Sequence, residues 1–538
     1  MKARISTLLL AVTCILATVQ GKVYTIAVDD PQTWENTAVS ARSIGDTVQF
    51  DVPVIVNQNY GYNGFSGLTV SVRRIYSPTN QAVPLSAEYQ RLLQLDATAG
   101  FNLSGCGYKR NGERLLNLKG VVTGPLQVKF ISGSWAGNNT REKLEHNVPK
   151  VDGDTTHNLL VCAANLEYYL VQNLGTGFGP ANNAMHQRQR TKVSKALAEI
   201  RADIYGLVEI EQGQSALAEI ANDLTSLIGD PTHYQYDYIN DGGSASGSYT
   251  KSGYVYNRCT VDPIGKLTKN NTVVSNRKMV QGFILKENNE CFIYSINHFK
   301  AKSGSGSGKN ADQGDGQGTF NYNRTQEALS LLHNIEAYQH YYEDPDILIM
   351  GDLNAYAKED PIRTLTDGGM YDLHRYFHAD SSYSYVYGYQ AGYLDHALAN
   401  RALLDQVTGM NVWHVNSDES DKYTYDKSDD LTVFRYSDHD PVLVGLCLDS
   451  TKSVNTKLED LINLCSISLI DGSLYLENVG VMGESYGFYE IYGIRGELIQ
   501  GVTQIEESPC LIGEGLPGGM YIVRVYYAGK TRALKMMK

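Results

Sequence analysis

Ile347-Leu348-Ile349-Met350-Gly351-Asp352-Leu353-Asn354 begins with four apolar residues and ends, after a glycine, in a carboxylate and an amide. A short apolar run closed by a turn signal reads as a buried strand. Ser437-Asp438-His439-Asp440-Pro441 has the reverse arrangement, its polar groups standing just before the apolar run Val442-Leu443-Val444-Gly445-Leu446. Carboxylates at the ends of core strands are expensive to desolvate unless a metal or another partner offsets the lost hydration. Both stretches therefore imply a cation at strand ends and place function there.

The same pattern recurs to either side. Leu159 to Ala164 reads as a buried strand ending at Asn165, Ile204 to Val208 as one ending at Glu209, and Cys291 to Ile296 as one running into Asn297-His298. Gly392 to Leu398 carries Asp395 and His396. Apolar spacing predicts helices from about His186 to Arg201, with Lys192 and Lys195 largely off its apolar face, Ser215 to Leu227 and Thr325 to Tyr341. Strands alternating with helices predict an α/β domain over 151–449 with mixed sheets covered by helices. The flanks differ from it. Val48 to Val56, Leu68 to Val72 and Leu126 to Phe130 alternate as strands do, and predict a β-rich accessory domain over 22–150 in the form of a small barrel or sandwich. Beyond Asp449, a linker-like stretch precedes Gly-punctuated strands ending near Tyr526, which predicts a small C-terminal β-sandwich over 450–538.

A chain of 538 residues is too long for one core, in keeping with three domains. Residues 1–21 combine early Lys and Arg with an apolar run too short to span a bilayer, and predict a signal peptide and an exported protein with no stable membrane span. Cys14 offers a site for lipid, but Thr13 before it favours cleavage without lipid. Removing Cys14 from the eight cysteines leaves an odd number without a C-x-x-C element, which argues against structural zinc. Cys259 and Cys291 adjoin apolar runs and are candidates to pair, whereas Cys162 and Cys447 read as small buried hydrophobes. The formal net charge of -13 argues against tight non-specific binding of nucleic acid by charge alone, and leaves open hydrolysis of a polyanion at a locally cationic site.

Oxygen ligands without cysteine suit Mg2+, with Mn2+ or Ca2+ as alternatives, and leave the histidines free to move protons. Phosphodiester hydrolysis needs neutralised phosphate oxygens, an in-line water and a proton route. A carboxylate-bound cation supplies the first, and His439 held by Asp395 the general base. Asp352 and Asn354, one residue apart, point to the same side of an extended segment and can aim at one phosphate or water. Each motif alone also describes a polar turn; their combination in one chain favours a hydrolytic site. Arg188 and Arg190 read as a solvated helix face with phosphate contact as the alternative, and the Tyr383 to Tyr387 run as packing with base stacking as the alternative. His374 and His396 read as structural.

Ala164-Asn165-Leu166, Leu207-Val208-Glu209-Ile210-Glu211, Ile296-Asn297-His298-Phe299-Lys300, Gly351-Asp352-Leu353-Asn354-Ala355, Leu394-Asp395-His396 and Ser437-Asp438-His439-Asp440-Pro441 occur in the order of the endonuclease/exonuclease/phosphatase superfamily. Over about Asn158 to Leu446 the chain resembles that superfamily, which includes the deoxyribonuclease I-like enzymes, and most closely its secreted bacterial nucleases. Gly314 to Gly318 followed by Asn321 and Arg324, and Trp413 to Glu419, are similar to the secreted branch. The resemblance implies a four-layered α/β sandwich with two facing sheets. It implies Glu209 as principal metal ligand with Asn165 and Asp438 nearby, His439 as base paired with Asp395, and His298 as acid or phosphate-polarising group. Asp352 and Asn354 would position phosphate and water. Many relatives hold the histidine matching His298 with an acidic residue before the strand that here is Tyr254-Val255-Tyr256. This chain has Ser248, Tyr249, Thr250 and Lys251 there.

The implied activity is a secreted, metal-dependent endonuclease acting on DNA and also RNA with little sequence preference, its partner being nucleic acid substrate. A lipid or small-molecule phosphoesterase on the same scaffold, or a catalytically inactive surface binding protein, are the alternatives. Leu516 to Val523 and the closing Lys535-Met536-Met537-Lys538 resemble the sorting domain of Bacteroidetes proteins exported by the type IX system, implying contact with outer-membrane secretion machinery and an extracellular or cell-surface location.

Overall fold

The computed structural model describes residues 22–26, 39–59, 68–80, 92–95, 108–153, 155–243, 250–269, 277–449, 466–470, 473–477, 487–505, 510–527 and 530–538. The signal-peptide segment with Cys14, as well as Cys106, Ser248, Tyr249, the linker-like stretch and Cys465, lies outside these. The chain divides into two compact units, one of residues 1–73 and 86–138, the other of 74–85 and 139–538.

The first unit is one seven-stranded sheet of β1 (Val23–Ile26), β2 (Thr47–Phe50), β3 (Val54–Gln58), β4 (Thr69–Ser71), β5 (Leu93–Leu95), β6 (Arg114–Gly124) and β7 (Gln127–Trp135), in the order β1-β2-β6-β3-β4-β5-β7. A further pairing of β6 with β7 closes a ring of β6-β3-β4-β5-β7 in which only β5 and β7 run parallel. Among the described residues this is the strand order of a small Greek-key barrel of the oligonucleotide/oligosaccharide-binding type. Val54, Val56, Val70, Leu93, Leu95, Leu115 and Val128 fill it. Asp51-Val52-Pro53 separates β2 from β3, because proline lacks the N–H a sheet interior needs.

In the second unit the predicted α/β domain is a four-layered sandwich. One sheet, in the order β10-β11-β9-β8-β21-β20, comprises β8 (Leu159–Tyr169), β9 (Ile204–Glu211), β10 (Tyr236–Tyr238), β11 (Thr250–Asn257), β20 (Val407–Val412) and β21 (Val442–Leu446). The facing sheet, in the order β12-β13-β14-β15-β19-β16, comprises β12 (Val261–Lys269), β13 (Lys278–Leu285), β14 (Cys291–His298), β15 (Ile347–Asp352), β16 (Tyr371–Asp372) and β19 (Asp395–Ala399). Period-two alternation divides each central strand between two cores. Leu348 and Met350 of β15 enter the core between the sheets with Val161, Ala163, Val442 and Val444. Ile347 and Ile349 face the opposite way, onto helices α3 (Asn321–Tyr342) and α4 (Asp360–Asp367) through Leu331, Tyr338 and Ile362. The first sheet carries α1 (Asn183–Ile200) and α2 (Ser215–Ile228) through Cys162, Ala164, Leu197 and Ile220. Ile347 to Met350 thus has no polar residue because both faces of its strand are covered.

Two tyrosines tie the sheets across the apolar core. Tyr254 Oη of β11 lies 2.7 Å from both Met279 O of β13 and Tyr294 O of β14, and Tyr294 Oη donates back to Cys162 O of β8 at 3.3 Å. Each phenol reaches a partner on the opposite sheet, so neither leaves a buried polar atom unpaired there. The C-terminal strands form two further sheets, β22 (Ser466–Ile470), β23 (Ser473–Glu477) and β26 (Cys510–Ile512) in one, β24 (Gly487–Gly493), β25 (Leu498–Ile505), β27 (Met520–Tyr527) and β28 (Lys530–Met537) in the other. Leu474, Leu476, Ile491, Val523 and Val525 give them one core.

Three details differ from expectation. Cys259 and Cys291 are both free thiols rather than a pair. Lys192, placed by spacing away from the apolar face of its helix, is fully buried and donates to Asp430 O at 3.0 Å. Arg190, with 34% of its side chain exposed, is not a free surface cation, since α2 supplies Asp223 at 2.6 Å and Glu219 at 3.0 Å. No helix among the described residues is long and apolar enough to cross a membrane.

Candidate active site

Strand register builds the site. β14 runs parallel to β15 with His298 opposite Asp352, and β15 runs antiparallel to β19 with Asp352 opposite Asp395. Three of the predicted residues therefore form one row across three adjacent strands. The facing sheet contributes Asn165 from β8, Glu209 from β9 and the turn 437–441 that enters β21.

His439 Nδ1 lies 2.7 Å from Asp395 Oδ2, and Ser384 Oγ donates to the same oxygen at 2.7 Å. The ring is thereby fixed with Nε2 turned to Asp352 Oδ2 at 4.0 Å and Asp438 Oδ1 at 3.9 Å. His298 Nε2 stands 3.6 Å from Glu209 Oε1 and 3.6 Å from Asp352 Oδ2. Asn165 donates its amide to Asp352 Oδ2 at 3.2 Å and accepts the Glu167 N–H at 2.9 Å. Asn354 donates its backbone N–H to Asp352 Oδ1 at 2.9 Å and its amide to Phe299 O at 3.2 Å. All eight residues singled out from sequence thus meet, although Glu209 and His439 belong to different strand ends.

One expectation about this cluster fails. Asp352 and Asn354 do not share a face of an extended segment, because β15 stops at Asp352 and Asn354 turns left-handed with φ 49°. The side chain of Asp352 accepts from the second residue on, a turn that asparagine tolerates better than most residues. Nor is His298 held by a carboxylate from the segment before β11. Lys251, near the start of β11, is itself buried and paired with Asp241 at 3.0 Å. The neighbour of His298 is Arg277, whose Nη2 lies 2.7 Å from Nδ1.

Two groups that sequence reasoning passed over complete the cluster. Glu167 and Tyr168 both have positive φ, 49° and 59°, at a register break between β8 and β9. The bulge turns the Glu167 carboxyl toward Asp438 and Glu209. In the sequence Glu167-Tyr168-Tyr169 simply runs on from the Asn165 motif. Arg277, just before β13, gave no signal at all.

The electrostatics are those of crowded like charges. Burial, reinforced by Asp438 and Asp352, pushes the Glu209 carboxyl up to about 7. Burial and Asp438 push Glu167 up to about 8, and burial pushes Asp352 up to about 6. Burial opposes a charged His439, yet Asp395, Asp438 and Asp352 outweigh it and hold the ring well above the ordinary histidine range. Burial and the Arg277 guanidinium drive His298 the other way, toward the neutral ring.

This set fits a hard divalent cation. Its donors are carboxylate and amide oxygens without a thiol, and Glu167 Oε2 is buried with no hydrogen-bond partner among the described residues. Asp352, Asp395 and His439 also offer ligand atoms within 4.8 Å of one another. The bond between His439 and Asp395 already engages Nδ1 and one carboxylate oxygen of that trio.

A search of curated proteins finds no match. Among solved structures, an endonuclease/exonuclease/phosphatase from Bacteroides vulgatus is similar at 16% identity and TM-score 0.37, covering 54% of this chain and 99% of that one. The human Nocturnin catalytic domain with bound sulfate is similar at 15% identity and TM-score 0.34, over 54% of this chain and 94% of that one. The Bacteroides thetaiotaomicron mannosyl-6-phosphatase is similar at 15% identity and TM-score 0.35, over 54% and 99%. The profile of one family, described as Endonuclease/Exonuclease/phosphatase, matches residues 158–439, from the threshold of β8 to His439 itself. With a match over more than half its length that spans all eight converging residues, the chain belongs to the endonuclease/exonuclease/phosphatase family.

Proposed function

We propose that the protein is a secreted, divalent-metal-dependent phosphodiesterase, an endonuclease cleaving DNA and also RNA without base-reading contacts. The observation carrying this reading is the 2.7 Å His439–Asp395 pair facing the Glu209, Asp352 and His298 cluster. In it Glu209, Asn165 and Asp438 hold the cation, Mg2+ before Mn2+ or Ca2+. When bound, the cation neutralises phosphate oxygens and relieves the repulsion among these carboxylates.

The side chains do the rest. Asp395 orients the imidazole through Nδ1, so that Nε2 is the atom that takes a proton from water. Ser384 keeps Asp395 from rotating away. His298, kept neutral by burial and Arg277, serves as a hydrogen-bond donor to phosphate rather than as a charged acid. Asp352 and Asn354 position water and phosphate. The segment 1–21 acts as an export signal and the C-terminal sheets as a sorting domain for outer-membrane secretion. Mass spectrometry of the exported protein tests this: a product retaining both ends would contradict it.

His439→Ala is expected to lower kcat by about 10²–10⁴-fold. Folding is checked by an unchanged circular dichroism spectrum, and full activity would remove His439 as base. Plasmid DNA, RNA, sphingomyelin and an inositol phosphate, each with Mg2+, Mn2+, Ca2+ or chelator, separate nuclease from lipid or small-molecule phosphoesterase.

A further inference from the structure

Aromatic side chains lie near the carboxylate cluster on two separate parts of the chain, a hairpin and the bulge of β8. Tyr385, at the start of the hairpin of β17 (Tyr385–Tyr387) and β18 (Gln390–Gly392), lies over the His439 ring with centroids 4.6 Å apart at 30°. Tyr387, two residues on and on the same face, is parallel to it within 5° at 6.5 Å and is 73% exposed. A ladder of flat rings therefore runs from the catalytic imidazole into solvent. Tyr168, on the bulge of β8, stands within electrostatic reach of Glu209, Arg277 and Asp438, and stacks on Phe178 at 5.0 Å and 21°. Phe178 is 52% exposed.

Large apolar rings left in water beside a reacting phosphate call for a flat partner. Three arginines of this unit are already engaged by protein groups: Arg277 Nη2 lies 2.7 Å from His298 Nδ1, Arg190 is held by Asp223 and Glu219, and Arg188 donates to Tyr425 O. In a duplex the base faces are already stacked on each other, whereas unpaired nucleotides can lay theirs on protein rings.

Resting on the nuclease reading above, we propose that Phe178 with Tyr168, and Tyr387 with Tyr385, are base-stacking platforms near the scissile phosphate, and that the preferred substrate is unpaired nucleic acid. Stacking tolerates any base, so the platforms add affinity without sequence preference.

The test compares kcat/KM of the full chain on a mixed-sequence single-stranded oligonucleotide, its duplex, sphingomyelin vesicles and bis(p-nitrophenyl) phosphate. The expected result is a single-strand preference. Phe178→Ala and Tyr387→Ala each lower the ratio of single-strand to small-diester kcat/KM by about tenfold, while Phe178→Tyr and Tyr387→Phe retain it. Equal cleavage of single strand and duplex, with that ratio unmoved by either alanine, would overturn the proposal, as would a loss confined to sphingomyelin. Failure of the unsubstituted protein to cleave any phosphodiester would overturn the hydrolase reading instead, a result distinguishable from the first.

Discussion

Glu209 and Glu167 are carboxyl groups that folding forces together, and their protonation links the site to stability. A carboxyl whose pKa is higher folded than unfolded binds more protons in the folded state. Its contribution is complete below the unfolded value near 4.5 and is lost as pH rises through about 7 for Glu209 and about 8 for Glu167. With chelator present, the melting temperature should therefore fall as pH is raised across that window, the Glu209 share being on the order of 3 kcal/mol. Saturating Mg2+ should raise it more at the alkaline end than at the acid end, because the ion competes with protons for the same oxygens. Scanning calorimetry checks both, and a Mg2+ effect independent of pH would separate the ion from these two groups. His439 is shifted in the same direction, toward holding its proton, and there the consequence is catalytic. Three carboxylates hold its proton, so kcat/KM should climb as pH rises past neutrality, and the slope should vanish in His439→Ala.

The row His298, Asp352 and Asp395 exists only while β14, β15 and β19 keep register, and Gly351 secures that register. Its φ of 120° disfavours any side chain, and a Cβ would lie 2.1 Å from Asn297 O on the paired strand. Gly351→Ala should cost at least about 1–3 kcal/mol from backbone strain alone, and should depress kcat further by shifting Asp352 against His298. Denaturant unfolding with parallel kinetics checks this, and retention of both values would mean the strands absorb the clash. Much of this was legible beforehand: an unbroken apolar run closed by Gly-Asp identifies a strand covered on both faces and its functional end. What was not legible came from departures from regular backbone or from remote partners. Glu167 enters through a bulge with positive φ, Asn354 through a left-handed turn, and Arg277 through proximity to a residue twenty-one positions away. Lys192 looks solvated until the loop at Asp430 is in place, and Arg190 looks unpaired until α2 supplies its carboxylates.

The catalytic unit also takes in a piece of chain that no motif marks. Residues 74–85 belong with 139–538 although their sequence neighbours on both sides do not. Ala391 of the hairpin donates to Ile75 O at 2.8 Å and accepts from Ser77 N at 2.8 Å, so residues 75–77 act as a short third strand, joined to β18 by a single parallel bridge. Asn80 Oδ1 takes the Tyr393 N–H, Thr79 reaches Glu359 at 2.9 Å, and Arg74 pairs with the buried Asp418 at 2.6 Å while lying over Tyr383. The hairpin it steadies carries Ser384 and Tyr385, which hold Asp395 and cover His439. A chain beginning at Asn139 retains all eight site residues yet lacks this strand. It should melt well below the full chain and lose kcat more than metal affinity, because the damage falls on the dyad and spares Glu209. Arg74→Ala in the full chain should reproduce part of the loss, up to about 3–5 kcal/mol, by removing a cation from buried Asp418. Melting temperature, kcat and calorimetric Mg2+ affinity on the three proteins decide it. If the shortened chain matches the full one in all three, the strand is dispensable and the hairpin holds the dyad unaided.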